Sequence, residues 1–171
     1  MRTNKIELVE DYDELGNILN SKMYVSKLNI NLEIIYECVN ILTELEKGNE
    51  EIDIYDVADL VVRIYDKQFT QHDLLTKLDA VTMKVELIDQ INFFASGQGF
   101  KSKSKVNFDN ASTSSWEDYR NYLKNFLKET MKEGKDINEL MDMPFSFFME
   151  LVDEDNQKNV KHTDSMIQAF M

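Results

Sequence analysis

Between Ser96 and Ser115 the helical periodicity of this chain stops, and the residues become small and polar: Ser96-Gly-Gln-Gly-Phe-Lys-Ser-Lys-Ser-Lys-Val-Asn-Phe-Asp-Asn-Ala-Ser-Thr-Ser-Ser115. Gly97 and Gly99 break whatever helix precedes them, and serine-rich, glycine-rich stretches act as linkers. The charge also reverses there, with three lysines against Asp109, whereas residues 1–95 carry 19 acidic against 9 basic side chains. A chain cut this way folds as two small units. The expected organisation is a helical upstream unit over 1–95, a linker over 96–115, a small helical downstream unit over 116–155 and a polar tail over 156–171. A tether of ~20 residues spans ~25 Å on average.

On both sides of the break the pattern is mainly α. One proline and five glycines in 171 residues leave long stretches free to be helical. Leu32, Ile35, Val39, Leu42 and Leu45 recur at spacings of three or four, and Gly48-Asn49 stops that helix. Asp53 caps a second helix through Val57, Leu60, Val61, Ile64 and Tyr65. Thr70-Gln71-His72-Asp73 is a capping-box pattern for a short helix through Leu74, Leu75 and Leu78. Asp79 starts a fourth, in which Val81, Val85, Ile88, Ile91 and Phe94 face the core. Downstream, Ser115 with Asp118 opens a helix through Trp116, Tyr119, Leu123, Phe126, Leu127 and Met131, which Gly134 ends. Asp136 with Glu139 caps a short helix with Ile137, Leu140 and Met141. Pro144 suits the first position of a last one. Residues 5–9 and 22–28 alternate as short strands do, which makes an N-terminal β-hairpin, with a helical turn or two expected from Asp13 to Asn20.

Charge narrows the partners. Thirty-two acidic residues against 19 basic give −13, so phosphate backbones and anionic membranes repel the chain. No run approaches a membrane span, and the first residues lack the apolar core of a signal peptide. The three linker lysines are too few to reverse this. Proteins are the partners left.

Chemistry has little to work with. Cys38 is alone, within an apolar helical set, and reads as a small buried hydrophobe in a reducing cytosol. His72 and His162 are far apart and read as solvated surface groups. No HExxH, CxxC, phosphate loop or GxSxG occurs, and Gly97-Gln98-Gly99 lacks the rest of a dinucleotide fingerprint. Asp153-Glu154-Asp155-Asn156 lacks the glycine and the terminal glutamate of an EF-hand loop. Glu44, Glu46, Glu50, Glu51 and Asp53 read as a solvated face and helix punctuation. The expectation is no enzyme, no cofactor and no metal.

Apolar surplus is the more informative signal. Phe145, Phe147, Phe148, Met149, Leu151 and Val152 fill six of the eight positions 145–152, more than one stripe of a surface helix holds. Aromatics and methionines are also what adaptable interfaces use. The candidate partner-binding residues are Trp116, Tyr119, Phe126, Phe145, Phe147, Phe148, Met149 and Leu151. An equal expectation is that the aromatics are simply the core of a tiny unit.

Two stretches resemble a known family. Val61-Val-Arg-Ile-Tyr-Asp-Lys-Gln-Phe-Thr-Gln-His-Asp-Leu-Leu-Thr-Lys-Leu-Asp-Ala80 looks like the tail assembly chaperones of long-tailed phages of Gram-positive bacteria. There an aromatic-x-x-Gln-Phe-Thr turn and a Leu-Asp-Ala start precede a last apolar helix. Tyr119-Arg-Asn-Tyr-Leu-Lys124 with Met131-Lys-Glu-Gly-Lys-Asp-Ile-Asn-Glu-Leu-Met-Asp-Met-Pro-Phe-Ser-Phe-Phe-Met-Glu-Leu151 looks like the family's downstream extension, in which a Lys-x-Gly turn and an acidic-Met-x-aromatic helix recur. The matches cover roughly residues 22–155. The resemblance implies a chaperone that coats the tape measure protein, brings tail tube subunits to it, self-associates, works in the host cytoplasm and leaves before the virion is complete. It also implies a downstream unit added by ribosomal frameshift near the linker. The competing reading is an acidic helical adaptor or inhibitor that mimics nucleic acid. Mimicry predicts binding that falls steeply with salt, and an apolar interface predicts little change.

Overall fold

A computed structural model describes residues 3–27, 29–49, 52–97 and 115–152. The expected linker, apart from its ends, and the polar tail with His162 and residues 153–156 lie outside them. The fold is mainly α, with a two-stranded antiparallel hairpin at the N-terminus.

Strands β1 (Lys5–Tyr12) and β2 (Ile18–Val25) pair from Lys5 opposite Val25 to Tyr12 opposite Ile18, with irregular register after Val9. Between them the chain makes a tight turn, where a helical turn was expected. Asp13 Oδ1 accepts from the N–H groups of Leu15 and Asn17, each at 2.8 Å, and Gly16 takes φ 82°. An aspartate that binds the backbone two residues on, followed by Gly-Asn, makes a turn and not a helix.

Four helices follow: α1 (Leu32–Glu46), α2 (Ile54–Ile64), α3 (Gln71–Lys77) and α4 (Met83–Ala95). Their starts obey local chemistry. Asp53 accepts from Tyr55 N–H at 2.8 Å. Thr70 Oγ accepts from Asp73 N–H at 3.0 Å while Asp73 accepts from Thr70 N–H at 3.1 Å, a complete capping box. The turn from α2 to α3 holds Asp66 and Lys67 both at φ 57°, a left-handed conformation that costs non-glycine residues energy. Cross-links hold it there: Lys27 Nζ reaches Asp66 at 2.6 Å, and Gln68 donates to the Val25 carbonyl at 2.7 Å.

In α4 the expected face holds at Ile91 and Phe94 and fails at its start. Leu87, Gln90, Ile91, Phe94 and Ala95 are buried, whereas Val81 and Val85 are 89% and 63% exposed. Asp79 accepts from Val81 N–H at 2.8 Å and thereby caps a turn before the helix, which begins only at Met83. That turn takes Val81 off the helical wheel.

Residues 115–152 form α5 (Trp116–Lys132), α6 (Ile137–Asp142) and α7 (145–152). Ser115 Oγ accepts from Asp118 N–H, and Asp136 accepts from Asn138 N–H. Along α5, Tyr119, Leu123, Leu127 and Thr130 are buried, and Met131, expected among them, is exposed. One continuous cluster of buried side chains runs from Ile6 and Leu8 of the hairpin through α1–α4 to Tyr119, Leu123, Leu127, Leu140, Phe145 and Phe148. The two stretches of sequence therefore share a core, with α1 between them: α2 and α4 pack on it, and so do α5 and α6.

Candidate partner-binding site

The eight sequence-predicted residues are placed unequally. Tyr119, Phe145, Phe148 and Met149 are buried. The Phe145 and Phe148 rings stack at 5.6 Å between centroids, and Phe126 meets Phe148 edge-on at 4.8 Å. Trp116, Phe126 and Leu151 are half-buried, and Trp116 lies 6.3 Å from Tyr119. Phe147 alone of the eight is exposed, at 48%. The surplus of apolar residues on α7 is thus largely absorbed against the rest of the chain.

Backbone bonding explains why. Leu32 N–H donates to the Met143 carbonyl at 2.9 Å, and Phe145 N–H donates to the Ile30 carbonyl at 2.8 Å, a bridge that pairs Asn31 with Pro144. This fixes the start of α7 beside the start of α1 and turns Phe145 and Phe148 inward. At the other end of α1 a polar seam holds the start of α5. Arg120 Nη1 donates to Glu44 at 3.0 Å, Trp116 N–H to Glu46 at 2.9 Å, and Lys47 to Glu117 at 2.9 Å. The Lys47 hydrogen bond holds the Glu117 carboxyl below its ordinary range. Glu44 and Glu46 are therefore docking groups for α5, a role their sequence context did not disclose. Their partners lie 70 to 76 residues away.

A second apolar surface sits on the hairpin. Ile6 and Leu8 point into the core, and Tyr24, opposite Ile6, packs against it half-buried. Lys22, opposite Leu8, is exposed with its ammonium 4.8 Å from the Tyr24 ring centroid, and Met23 and Val25 face outward. Tyr12, Leu15, Ile18 and Leu19 near the tip are exposed as well. Among the described residues strand β2 pairs with β1 alone, so its other edge meets no further strand and lies next to apolar side chains, with the Val25 carbonyl taken by Gln68. The base of the hairpin is pinned by buried Gln90. Its Oε1 accepts from Asn4 Nδ2 and Tyr65 OH, each at 2.7 Å, and its Nε2 donates to the Lys5 carbonyl at 3.1 Å.

Reactive chemistry is sparse in this setting. Cys38 is buried, and burial pushes its thiol far above the usual range. His72 is exposed on α3. Among the described residues, no group of three or more His, Cys, Asp or Glu is placed to hold a metal ion, and no helix is long and apolar enough to cross a membrane. An open groove of about 520 Å³ lies between α1, α2 and the start of α3. It is lined by Glu37, Asn40, Ile41, Tyr55, Asp56, Asp59 and Gln71. Arg63 already grips its Glu37 with two hydrogen bonds, at 2.7 and 2.9 Å.

A family model described as phage tail chaperone protein matches residues 1–113. That span takes in the first 21 residues, which the sequence resemblance left out, and stops short of α5. No curated protein and no solved structure matches the chain.

Proposed function

Because the chain belongs to the phage tail chaperone family, we propose that it binds the tape measure protein and brings tail tube subunits to it during tail assembly. The family match over residues 1–113 carries this reading. The physical character of the chain supports it. A tape measure is a long helix whose apolar stripe aggregates unless it is covered, and apolar surface is what this chain exposes on its hairpin and at Phe147. The net charge of −13 keeps such a binder soluble and away from nucleic acid.

In this account the upstream residues take the tape measure and self-associate, the open β2 edge being the surface that supports self-association. The downstream residues take the tube subunit, with Phe147 as the exposed anchor. The work is non-catalytic and takes place in the cytoplasm of a Gram-positive host of a long-tailed phage. The protein is absent from the finished virion. The linker over 96–115 is where a frameshift would join the two parts.

The test uses the tail tube and tape measure proteins of the same phage. Phe147→Ser should weaken tube-protein capture at least tenfold, as loss of an interface anchor does, and should leave tape-measure binding unchanged. Undiminished tube capture by the folded variant sinks the assignment of Phe147. Phe148 is the wrong residue to change, because its ring is buried against Phe145 and Phe126.

A further inference from the structure

Helix α5 is seated on α1 as a ligand is seated on a receptor. It packs mainly on α1 and more lightly on α6, and its Phe126 meets Phe148 of α7. Its buried side chains Tyr119, Leu123 and Leu127 recur every four residues, while Asn121, Tyr122, Asn125, Lys128 and Glu129 face away. That is one amphipathic helix in an apolar site, a recurring mode of recognition in trans. The polar contacts at its start are of the kind that sets register and direction more than affinity. Glu44 meets Arg120, and Glu46 accepts from the first amide of α5. The family match ends at residue 113, two residues before the Ser115 cap. The matched unit thus contains α1 and stops before the helix that covers it.

We infer that this face of α1 is a docking site for an amphipathic helix of a partner, which the chain fills with its own residues 116–152 in this structure. The helix it fits carries three large apolar side chains at four-residue spacing, a cation beside the first of them to meet Glu44, and a free first-turn amide to meet Glu46. Naming the tape measure as the source of that helix rests on the function proposed above; the exchange itself does not. A built-in cover lowers the apparent affinity for a partner by the fraction of time the face is open. Binding is then coupled to release of residues 116–152.

Two measurements on the full chain test this. The first is native-state hydrogen exchange. Amides of α5 should exchange at least tenfold faster than those of α2 and α4, through an opening of their own. Exchange of α5 only together with α2 and α4, in one global event, overturns the inference. The second uses a labelled synthetic peptide of residues 115–133 as the probe. Leu127→Ala combined with Phe148→Ala loosens the cover without touching α1, and the full-length variant should bind the peptide at least tenfold more tightly than the wild type. A folded variant that gains no affinity overturns the inference. A variant that dimerises in place of taking the peptide assigns the face to a second copy and overturns the partner assignment. If the variant fails to fold, the exchange experiment on the wild type decides. Neither measurement involves a tail protein, so its failure is distinct from failure of the tape-measure reading.

Discussion

Thr70 and Asp73 show how far single residues were readable. The hydroxyl and the acid three residues on mark a helix start in the sequence, and both reciprocal hydrogen bonds form. Thr70→Ala should cost about 1 kcal/mol, lowering the melting temperature of a chain this size by about 2–4 °C. Thr70 and then Lys77 hold the Asp73 carboxyl down at about 2. A carboxyl depressed in the folded state stabilises the protein at pH values above its unfolded value near 3.8, and that contribution is lost as pH falls through about 2. The destabilisation by Thr70→Ala should therefore shrink between pH 4 and pH 2 in denaturant melts. A penalty unchanged over that window contradicts the capping account. Glu86 behaves oppositely: burial first, then Glu7, Asp89 and Asp79, raise its carboxyl. Its ionisation opposes folding, so stability rises as pH falls through the folded-state value and the gain is complete below about 4.5. Glu86→Gln should raise the denaturation midpoint at pH 7 and lose that advantage at pH 4; a lower midpoint at pH 7 contradicts it. Nothing in the sequence marks Glu86 or Gln90. Gln90 gathers Asn4, Lys5 and Tyr65, which lie 86, 85 and 25 residues away.

Elements were legible in existence and type wherever periodicity was long. The helices α1, α2, α3 and α5 fall where spacings of three and four place them, and alternation places the two strands. Phase was less secure. In α4 the expected face was Val81, Val85, Ile88, Ile91 and Phe94. Packing against α1 and α2 buries Ile91 and Phe94 together with Leu87, leaves Ile88 half-buried and puts Val81 and Val85 outside. Leu87→Ala should cost about 2–5 kcal/mol as a buried cavity, and Val85→Ala should stay within about 0.5 kcal/mol. Equal losses in chemical denaturation would return the helix to the expected face. The hairpin turn carried a readable signal in Asp13-Glu-Leu-Gly-Asn17, outweighed by the helical reading of the residues around it. On α7 the apolar count was right, but its target was not readable. The bridge from Asn31 to Pro144 spans more than a hundred residues, and no local pattern predicts such a pairing. That bridge turns Phe145 and Phe148 into core and leaves Phe147 at the surface.

At the scale of the whole molecule, net charge and composition set the expectation that the partners are proteins before any contact was known. The residues around the glycine–serine–lysine stretch are joined across α1, through an apolar core and a polar seam. If the proposed function holds, a chain of −13 with exposed apolar side chains on its hairpin and at Phe147 should hold a helical partner by burial more than by charge. The reading as an acidic mimic requires the reverse. The most direct measurement is the affinity of the full chain for the tape measure protein of its own phage, co-expressed with it and titrated from low to high salt. The account predicts a soluble complex whose affinity changes little with salt. A tape measure that stays soluble without this chain and never co-purifies with it, or binding that collapses steeply as salt rises, would contradict it.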